Sequence, residues 1–407
     1  MTGRGEAELP PVHQAQGAAT KNVGLRGVTV ADTAVSHVDG RAGRLLYRGY
    51  AIDVLAERSS YEEVAYLLIM GDMPTPGELE AFRAELGARR VLTAGEVDLL
   101  RAFCLDNRPM EVLQAVTAVL AAGDIAPAIT TDKETERRRA LGLTAKMASL
   151  TAAWHRVRQG LDPVPAEPGL GHAADFLRML HAADPDPALA RDMDVALILH
   201  ADHSMNASTF VARSVTSTRA HIYAAVSAAL GALSGELHGG ANSRVMEMLE
   251  EIGDPEQAEP YVRARLEVGE RIMGMGHAVY ATDDPRAIIL REMARRAGER
   301  VGDPRWYEIT RRVQEATQRL FRERKGGEIY PNVDLYSASL YHVMGIPRDL
   351  FTPVFAVSRV AGWSAHVIEE RFAEVQGKPQ LYRPLSDYVG RYCGPESCEY
   401  VPLERRG

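Results

Sequence analysis

Helix-start signals followed by apolar stripes recur along most of this chain. Thr75 is followed by Pro76 and Glu78, and the apolar residues Leu79 and Phe82 come next. A Thr with a Glu three residues later forms a capping box, Pro is favoured at the first helical position, and apolar residues three or four apart share a helix face. The sequence therefore predicts an almost all-α fold. Further helices are expected at about 95–105, 110–122, 133–158, 172–182, 187–217, 219–232, 241–251, 257–270, 284–297, 305–323, 334–343 and 348–375.

Only the start of the chain shows a β pattern. Residues 27–30 and 44–48 are short β-like runs on either side of Asp39 and Gly40. Asp-Gly is a strong turn dipeptide. We therefore predict one small N-terminal β-hairpin.

Length and charge limit the function classes. A chain of 407 residues predicts two or three domains, or one large body carrying a smaller one. The formal net charge of −8 argues against a nucleic-acid-binding protein and against a polybasic membrane binder. No segment has the roughly 20 apolar residues that span a bilayer, and residues 1–22 lack the apolar core of a signal peptide. We expect residues 1–22 to be a disordered tail on a cytoplasmic protein.

The three cysteines predict no disulfide framework. Cys104 follows Leu99 and Phe103 in an apolar stretch, and we expect it to be a small core residue. Cys393 and Cys398 lie close together near the C-terminus, which is compatible with a loop disulfide or a redox pair. No further Cys or His cluster lies beside them, so a zinc site is not expected.

Four of the twelve histidines have chemically suggestive neighbours. His200 and His203 would share one face of the predicted helix 187–217, which is compatible with a divalent metal site, although most such pairs bind no metal. His238 precedes two glycines, where backbone approaches a ligand or bends sharply, and a helix C-terminus explains the pattern as well. His277 ends a Gly-x-Gly-His motif, whose loop we expect to expose backbone amides and carbonyls.

Two charged residues complete this set. Arg286 follows His277 by nine positions, and its planar guanidinium suits a carboxylate. Asp334 lies at a predicted loop-to-helix junction after Pro331. Taken alone, Asp334 is best explained as a helix N-cap.

Taken in order, these segments resemble the citrate synthase family, from about Val23 to Arg406. Six motifs in the right order and spacing are not expected by chance. They are Gly-Val-Thr at 27–29 with Tyr-Arg-Gly-Tyr at 47–50, His-Ala-Asp-His-x-x-Asn-Ala-Ser-Thr at 200–209, Leu-His-Gly-Gly-Ala-Asn at 237–242, Gly-x-Gly-His-x-Val-Tyr at 274–280, Pro-Asn-Val-Asp at 331–334, and residues 355–363 with Arg383-Pro384.

The resemblance implies a two-domain α-helical homodimer whose active site lies in the cleft between the domains. By analogy the large domain comprises residues 23–237 and 345–407, and the small domain comprises residues 238–344. It implies the substrates acetyl-CoA and oxaloacetate, with no cofactor, no metal, no nucleic acid and no membrane.

The resemblance also assigns the catalytic roles. Asp334 takes a methyl proton from acetyl-CoA, a neutral His238 donates a hydrogen bond to the thioester carbonyl, and His277 supplies the proton that the oxaloacetate ketone needs. His203 orients that ketone, and His200 aligns with a family position of weaker role. The carboxylates of oxaloacetate are assigned to Arg286, Arg359 and Arg383, the last from the partner subunit.

For CoA, the backbone of the loop before His277 resembles the segment that recognises adenine. Arg324 and Lys325 are candidates for the phosphates, although a solvated helix end explains them equally well. Ala278 stands where many relatives carry Arg, which puts one phosphate contact in doubt, and Met275 stands where Phe is commoner. The CoA set is Ile272, Met273, Gly274, Met275, Gly276, Arg324 and Lys325.

Three alternatives stay open on the sequence. A 2-methylcitrate synthase uses propionyl-CoA with the same residues, and a dual-specificity enzyme accepts both acyl groups. One methylene in an apolar pocket changes selectivity by only about 1–3 kcal/mol. A non-catalytic protein that keeps the fold is expected to have lost His238, His277 or Asp334, and all three are present. A third class, a metal site at His200 and His203, requires another ligand nearby in space.

Overall fold

The computed structural model describes residues 24–25, 27–123, 132–386 and 400–406. These residues form sixteen α-helices and one small sheet, so the all-α prediction is confirmed. The helices are α1 Ile52–Arg58, α2 Tyr61–Met70, α3 Pro76–Arg90, α4 Ala94–Arg101, α5 Pro109–Val119, α6 Lys133–Val157, α7 His172–His181, α8 Pro187–His200, α9 Ala207–Ser217, α10 Ile222–Leu233, α11 Ala241–Ile252, α12 Ala258–Glu267, α13 Pro285–Val301, α14 Arg305–Lys325, α15 Val333–Val343 and α16 Phe351–Phe372. The described residues also form four short 3-10 helices, at Leu120–Gly123, Pro255–Gln257, Arg348–Leu350 and Leu403–Arg405.

The sheet is antiparallel, with strands β1 Ser36–Asp39, β2 Arg44–Tyr47 and β3 Tyr50–Ala51 in sequence order. The predicted second strand is confirmed, but the prediction of a strand at 27–30 is wrong. The Asp39 carboxylate accepts hydrogen bonds from the backbone amides of Arg41 and Ala42, which start the turn. The strand before this turn, β1, therefore ends at Asp39 and pairs with β2.

The predicted helix 187–217 is two helices. α8 ends at His200, and α9 starts after Asn206, whose side chain accepts a hydrogen bond from the Thr209 amide at 3.1 Å. Ser204 between them has a left-handed φ of 50°. An Asn N-cap starts a new helix because it satisfies an otherwise unpaired backbone amide. His200 and His203 therefore do not share a helix face.

The cysteine predictions have different outcomes. Cys104 is exposed, so the prediction of a core residue is wrong. α4 ends at Arg101, three residues earlier, and the apolar stripe does not continue past that end. Cys393 and Cys398 lie outside the described residues, as do residues 1–22. None of the helices described is long and apolar enough to cross a membrane.

α16 lies at the centre of the helical body. From Phe351 to Glu370 all of its residues are buried, and it packs against α2, α6, α8, α9 and α10. A second set of contacts joins α13 and α11 to α15, and α12 to α14. The division into domains at His238 and Met344 stays a prediction.

Gly362 allows α16 to pack directly against the segment between α8 and α9. A Cβ on Gly362 would lie 2.2 Å from the Ala201 carbonyl oxygen and 2.5 Å from Oδ1 of Asp202. Both distances are below any real contact, so only glycine fits here without moving the backbone.

We expect Gly362→Ala to lower the free energy of unfolding by about 2 kcal/mol or more, because the new methyl group overpacks a buried contact. Gly77→Ala is the control, since its Cβ would meet nothing within 4 Å in α3. Removing a glycine from an open helical position stabilises a protein by about 0.5–1 kcal/mol. Urea unfolding of both variants measures the contrast, and equal stabilities would contradict the close approach.

Candidate active site

Three aromatic side chains meet beside the segment between α8 and α9. The rings of His203 and His277 lie 5.5 Å apart, and the Tyr280 ring lies 5.6 Å from His203 and 4.7 Å from His277. Nε2 of His203 is 3.3 Å from the Tyr280 hydroxyl. Burial, followed by the positive charges of Arg286 and Arg359, lowers the pKa of His203 well below its ordinary value. The structure therefore brings two predicted site histidines together, and His203 is neutral.

Backbone hydrogen bonds fix the tautomer of His277. Its Nδ1 accepts from the amides of Val279 at 2.9 Å and Tyr280 at 3.1 Å. Because those amides only donate, the ring hydrogen is on Nε2, which points toward the Asp284 carboxylate 4.0 Å away. Burial and the nearby Arg286 lower the pKa of His277 to about 4. A neutral His277 thus presents an N–H donor at Nε2.

The Gly-x-Gly loop joins His277 to the segment before Asp334. The Gly276 amide donates to the Tyr330 carbonyl at 2.7 Å, the Asn332 amide donates to the Gly274 carbonyl at 2.9 Å, and the Asn332 side chain donates to the Gly276 carbonyl at 3.0 Å. Gly274 and Gly276 have φ values of +77° and +91°. The Gly-x-Gly-His motif predicts a loop that exposes its backbone groups. That prediction is wrong for the Gly276 amide and for the carbonyls of Gly274 and Gly276, because all three form hydrogen bonds to residues 330–332.

Asp334 is the second residue of α15 and not its N-cap. The N-cap is Asn332, whose side chain accepts from the Asp334 amide at 3.0 Å. Among the described residues, none donates a hydrogen bond to the Asp334 carboxylate. Burial raises its pKa to about 6, with Arg286 as the strongest opposing charge. A carboxylate with a raised pKa and unused acceptor positions is suited to take up a proton.

His238 lies in the turn between α10 and α11. Its Nε2 is 3.2 Å from the Ser208 amide and 2.8 Å from the Ser208 hydroxyl. The amide only donates, so Nε2 accepts and the ring hydrogen is on Nδ1. Burial, with a contribution from Arg359, lowers the pKa of His238 to about 4. A Cβ on Gly239 would lie 2.1 Å from the Leu233 carbonyl oxygen, so glycine is required next to this histidine.

Two of the predicted arginines are buried beside these groups. Arg286 forms a bidentate ion pair with Asp284, in which Nε donates to Oδ1 at 3.0 Å and Nη2 donates to Oδ2 at 2.7 Å. Arg359 donates from Nε to the His200 carbonyl at 2.6 Å and lies 4.6 Å from the centre of the Phe355 ring.

Arg359 lacks an anionic partner in the described part of the chain. No carboxylate there lies within ion-pair distance of its guanidinium. Burial lowers the pKa of Arg359 to about 10, although Asp202 and Tyr47 favour its charged form. A buried cation in this situation is a natural binding group for a carboxylate ligand.

The remaining predicted residues are not drawn into this cluster. Arg383 is exposed, and no described residue hydrogen-bonds to it. At the end of α14, Arg324 is exposed and 3.4 Å from Glu267, while Lys325 lies 5.4 Å above the Phe321 ring. The structure gives these three cations no fixed role, so their ligands stay predictions.

The metal alternative receives no support in the residues that the structure describes. No group of three His, Cys, Asp or Glu side chains is arranged there to hold a metal ion. His200 is fully buried, and its Nδ1 lies 2.8 Å from the Ala196 carbonyl within α8.

Three residues of the cluster were not singled out from the sequence. Tyr280 contacts both His203 and His277, Asp284 neutralises Arg286, and Ser208 orients His238. Tyr280 and Ser208 lie inside the quoted motifs, and the Asp-Pro pair at the start of α13 is a recognisable helix start. These residues were visible in the sequence motifs, but Tyr280 and Ser208 each contact a histidine that lies far away in the sequence, so local patterns could not predict those contacts.

Known proteins share this architecture. The family model described as "Citrate synthase, C-terminal domain" matches residues 24–385. The chain belongs to the citrate synthase family. The citrate synthase of Haloferax volcanii is 44% identical over 387 residues, which cover 94% of this chain and 98% of the relative. The 2-methylcitrate synthase of Shewanella oneidensis is 37% identical over 370 residues, 90% of this chain and 94% of the relative.

A solved structure extends the likeness to the fold. The citrate synthase of Thermoplasma acidophilum, described as a ternary complex with carboxymethyl coenzyme A and oxaloacetate, has a TM-score of 0.84 at 31% identity. The match covers 94% of this chain and 99% of that one. The family and the fold predicted from the sequence are confirmed.

We expect Asp334→Asn to stabilise the folded protein at alkaline pH. Because burial raises the pKa of Asp334 from 3.8 to about 6, its ionised form destabilises the fold above pH 6, and this penalty disappears as the pH falls toward 4. The expected gain in unfolding free energy is about 1–3 kcal/mol at pH 8 and close to zero at pH 4. Urea unfolding at both pH values measures it, and a loss of stability at pH 8 would contradict this account.

Proposed function

We propose that this protein is a citrate synthase, an acyltransferase that condenses acetyl-CoA with oxaloacetate and hydrolyses citryl-CoA to citrate and CoA. One observation carries the proposal. A carboxylate with a raised pKa, two histidines held neutral in opposite tautomers and a buried arginine with no carboxylate partner among the described residues belong to one connected site. The curated relatives and the solved structure named citrate synthase support the same activity.

The first step is removal of a methyl proton from acetyl-CoA. Asp334 has unused acceptor positions and a raised pKa, so it is the base. Nδ1–H of His238 donates a hydrogen bond to the thioester oxygen, where negative charge builds as the proton leaves. Ser208 holds His238 in that tautomer. A positioned base and a preorganised donor contribute about 10²–10⁴-fold and 10²–10³-fold to such a step.

The second step forms the carbon–carbon bond. The carbon of this enolate, the ionised enol, attacks the ketone of oxaloacetate, and the ketone oxygen needs a proton as it becomes an alcohol. Nε2–H of His277 supplies it, while His203 orients and polarises the ketone. Tyr280 contacts both rings and holds them in one relative position. Water then cleaves the thioester, and closing the site during condensation protects the enol.

The substrate carboxylates pair with arginines. Arg359 is the primary site, because its charge is buried without a carboxylate partner among the described residues. Arg286 already shares its charge with Asp284, so it contributes a second, weaker contact. Arg383 is proposed to reach the site of the partner subunit, which fits its exposed position. Local cations are needed here because the chain as a whole has a net charge of −8.

Several sequence predictions belong to the same proposal. They are the homodimer, the large and small domains, the cytoplasmic location, the absence of a cofactor or metal, and CoA binding by residues 272–276 with Arg324 and Lys325. The Met275 amide donates to the Ile272 carbonyl at 3.2 Å, and Gly274 and Gly276 bond to residues 330–332. Among the described loop residues, the backbone of Met273 and the carbonyl of Met275 are therefore the groups that we propose to face adenine.

A 2-methylcitrate synthase is the second candidate, because relatives with that name match most of the chain. The two activities differ by one methylene in the acyl group. We favour acetyl-CoA because relatives named citrate synthase reach 44% identity, whereas two relatives named 2-methylcitrate synthase are 37% and 39% identical.

Release of free CoA thiol tests the activity directly. With oxaloacetate present, we expect fast release from acetyl-CoA and a kcat/KM at least about tenfold lower with propionyl-CoA. A preference for propionyl-CoA would support the second candidate. No release from either thioester would refute the proposed function.

We expect Asp334→Asn to abolish condensation while leaving the dissociation constant for oxaloacetate within about twofold of wild type, because the base is not a ligand of the ketoacid. Thiol release and calorimetric titration with oxaloacetate measure the two effects. Asp98→Asn is the control, since Asp98 is an exposed residue of α4. An Asp334→Asn enzyme that keeps most of its activity would exclude Asp334 as the base.

The pH profile of kcat/KM follows from the same groups. Asp334 must be ionised to accept a proton, so activity is expected to fall as the pH drops through about 6. His238 and His277 have pKa values of about 4 and stay neutral across this range. Thiol release between pH 4.5 and 9 measures the profile, and a kcat/KM that stays level from pH 8 down to pH 5 would contradict the assignment.

A further inference from the structure

Asp202 anchors the segment that carries His203. It is fully buried, and its Oδ2 accepts hydrogen bonds from the Ser204 amide at 2.8 Å and from the Ser36 hydroxyl. Its backbone carbonyl accepts from the Tyr47 hydroxyl at 2.9 Å. Asp202 therefore fixes the backbone on both sides of His203, including the left-handed Ser204.

His366 of α16 connects Asp202 to a second group of charges. Its Nε2 lies 3.3 Å from Oδ1 and 3.4 Å from Oδ2 of Asp202, and both side chains are fully buried. Its Nδ1 lies 3.4 Å from Nη1 of Arg213. Arginine only donates, so Nδ1 accepts and Nε2–H faces Asp202. Burial alone would raise the pKa of Asp202, but His366 above all keeps that pKa below its ordinary value.

Arg213 extends the connection along α16. It donates from Nη1 to Glu369 at 2.7 Å, and from Nε and Nη2 to Glu370 at 3.0 and 2.8 Å. Glu370 also accepts from the Tyr382 hydroxyl at 2.6 Å. The Tyr382 ring stacks on Phe210 at 6.2 Å, so the residue before Arg383 is held by a hydrogen bond and a ring contact.

These contacts form one network, defined by Asp202, His366, Glu369, Arg213, Glu370 and Tyr382, in which every side chain is buried except the half-buried Tyr382. One end adjoins His203 and the other adjoins Arg383, the two proposed oxaloacetate ligands farthest apart in the sequence. The helix that carries its middle, α16, also carries Arg359. Buried ion pairs add little net stability compared with apolar packing, whereas breaking one partner leaves an uncompensated charge. Geometric precision is therefore the benefit that this network offers.

We propose that this network positions His203 for the oxaloacetate bound in its own subunit and Arg383 for the oxaloacetate bound in the partner subunit, with Asp202, His366 and Tyr382 as positioning residues. This inference rests on the proposed function, since it assigns a purpose to contacts behind the proposed oxaloacetate site. If one contact of the network is lost, the side chains of His203 and Arg383 shift but stay present. We therefore expect oxaloacetate binding to weaken more than acetyl-CoA binding.

Two substitutions of His366 separate positioning from simple packing. His366→Gln keeps an N–H group near the place of Nε2 and an acceptor for Arg213, whereas His366→Leu removes both. We expect His366→Leu to raise the KM for oxaloacetate about tenfold or more, with a change of less than about threefold in the KM for acetyl-CoA. His366→Gln is expected to restore most of the oxaloacetate KM.

Two further variants complete the experiment. Tyr382→Phe keeps the ring on Phe210 and removes only the hydroxyl on Glu370, so the oxaloacetate KM is expected to rise about threefold or more while thermal stability changes little. Asp175→Asn is the control for a buried aspartate elsewhere, since Asp175 pairs with Arg90 and has no link to the site. It is expected to lower stability and leave the oxaloacetate KM unchanged.

The outcomes distinguish this inference from the proposed function. If the wild-type protein releases no CoA thiol, the proposed function fails first. If the wild type is active and His366→Leu, His366→Gln and Tyr382→Phe all have a wild-type oxaloacetate KM, the positioning role is refuted. Equal increases in the KM values of both substrates, in folded protein, would also refute it, because they indicate a general loosening of the fold.

Discussion

Three hydrogen bonds join the loop at Gly274 and Gly276 to residues 330–332, and the site depends on them. The loop carries His277 at its end, and the segment leads directly into α15 with Asp334 near its start. Each glycine has a φ that other residues rarely adopt, so the close pairing is available only to a Gly-x-Gly sequence. The contact therefore places the proposed base and the proposed acid on one rigid unit.

Burial then decides the protonation states. The same removal from water that raises the pKa of Asp334 to about 6 lowers those of His238 and His277 to about 4. Buried arginines add to the effect on the histidines and oppose it on the carboxylate. At neutral pH the site consequently holds an ionised base and two uncharged N–H donors, which is the combination that enolisation of a thioester needs.

α16 links the rest of the site to this unit. Arg359 near its middle is the proposed carboxylate ligand, and Gly362 allows contact with the segment before His203. Trp363 donates to the Ser208 hydroxyl at 3.1 Å, behind His238. One nearly fully buried helix thus supports parts of the site that come from three other segments. Its packing restricts their relative movement, which suits a reaction that requires two bound substrates in fixed register.

The sequence by itself determined the helical class, the capping box at Thr75, the family and the identity of the ionisable groups. The helical class and the capping box follow from local rules, because capping, turn propensity and apolar periodicity act over a few residues. The family follows from the resemblance of six motifs in order. It did not determine the break between α8 and α9, the exposure of Cys104 or the pairing of Arg286 with Asp284. Asp334 shows the limit best: its local sequence predicts a helix N-cap, whereas the tertiary structure gives it a raised pKa, which supports its proposed role as the base. Its raised pKa comes from residues distant in sequence that exclude water around it, and no local pattern records that exclusion.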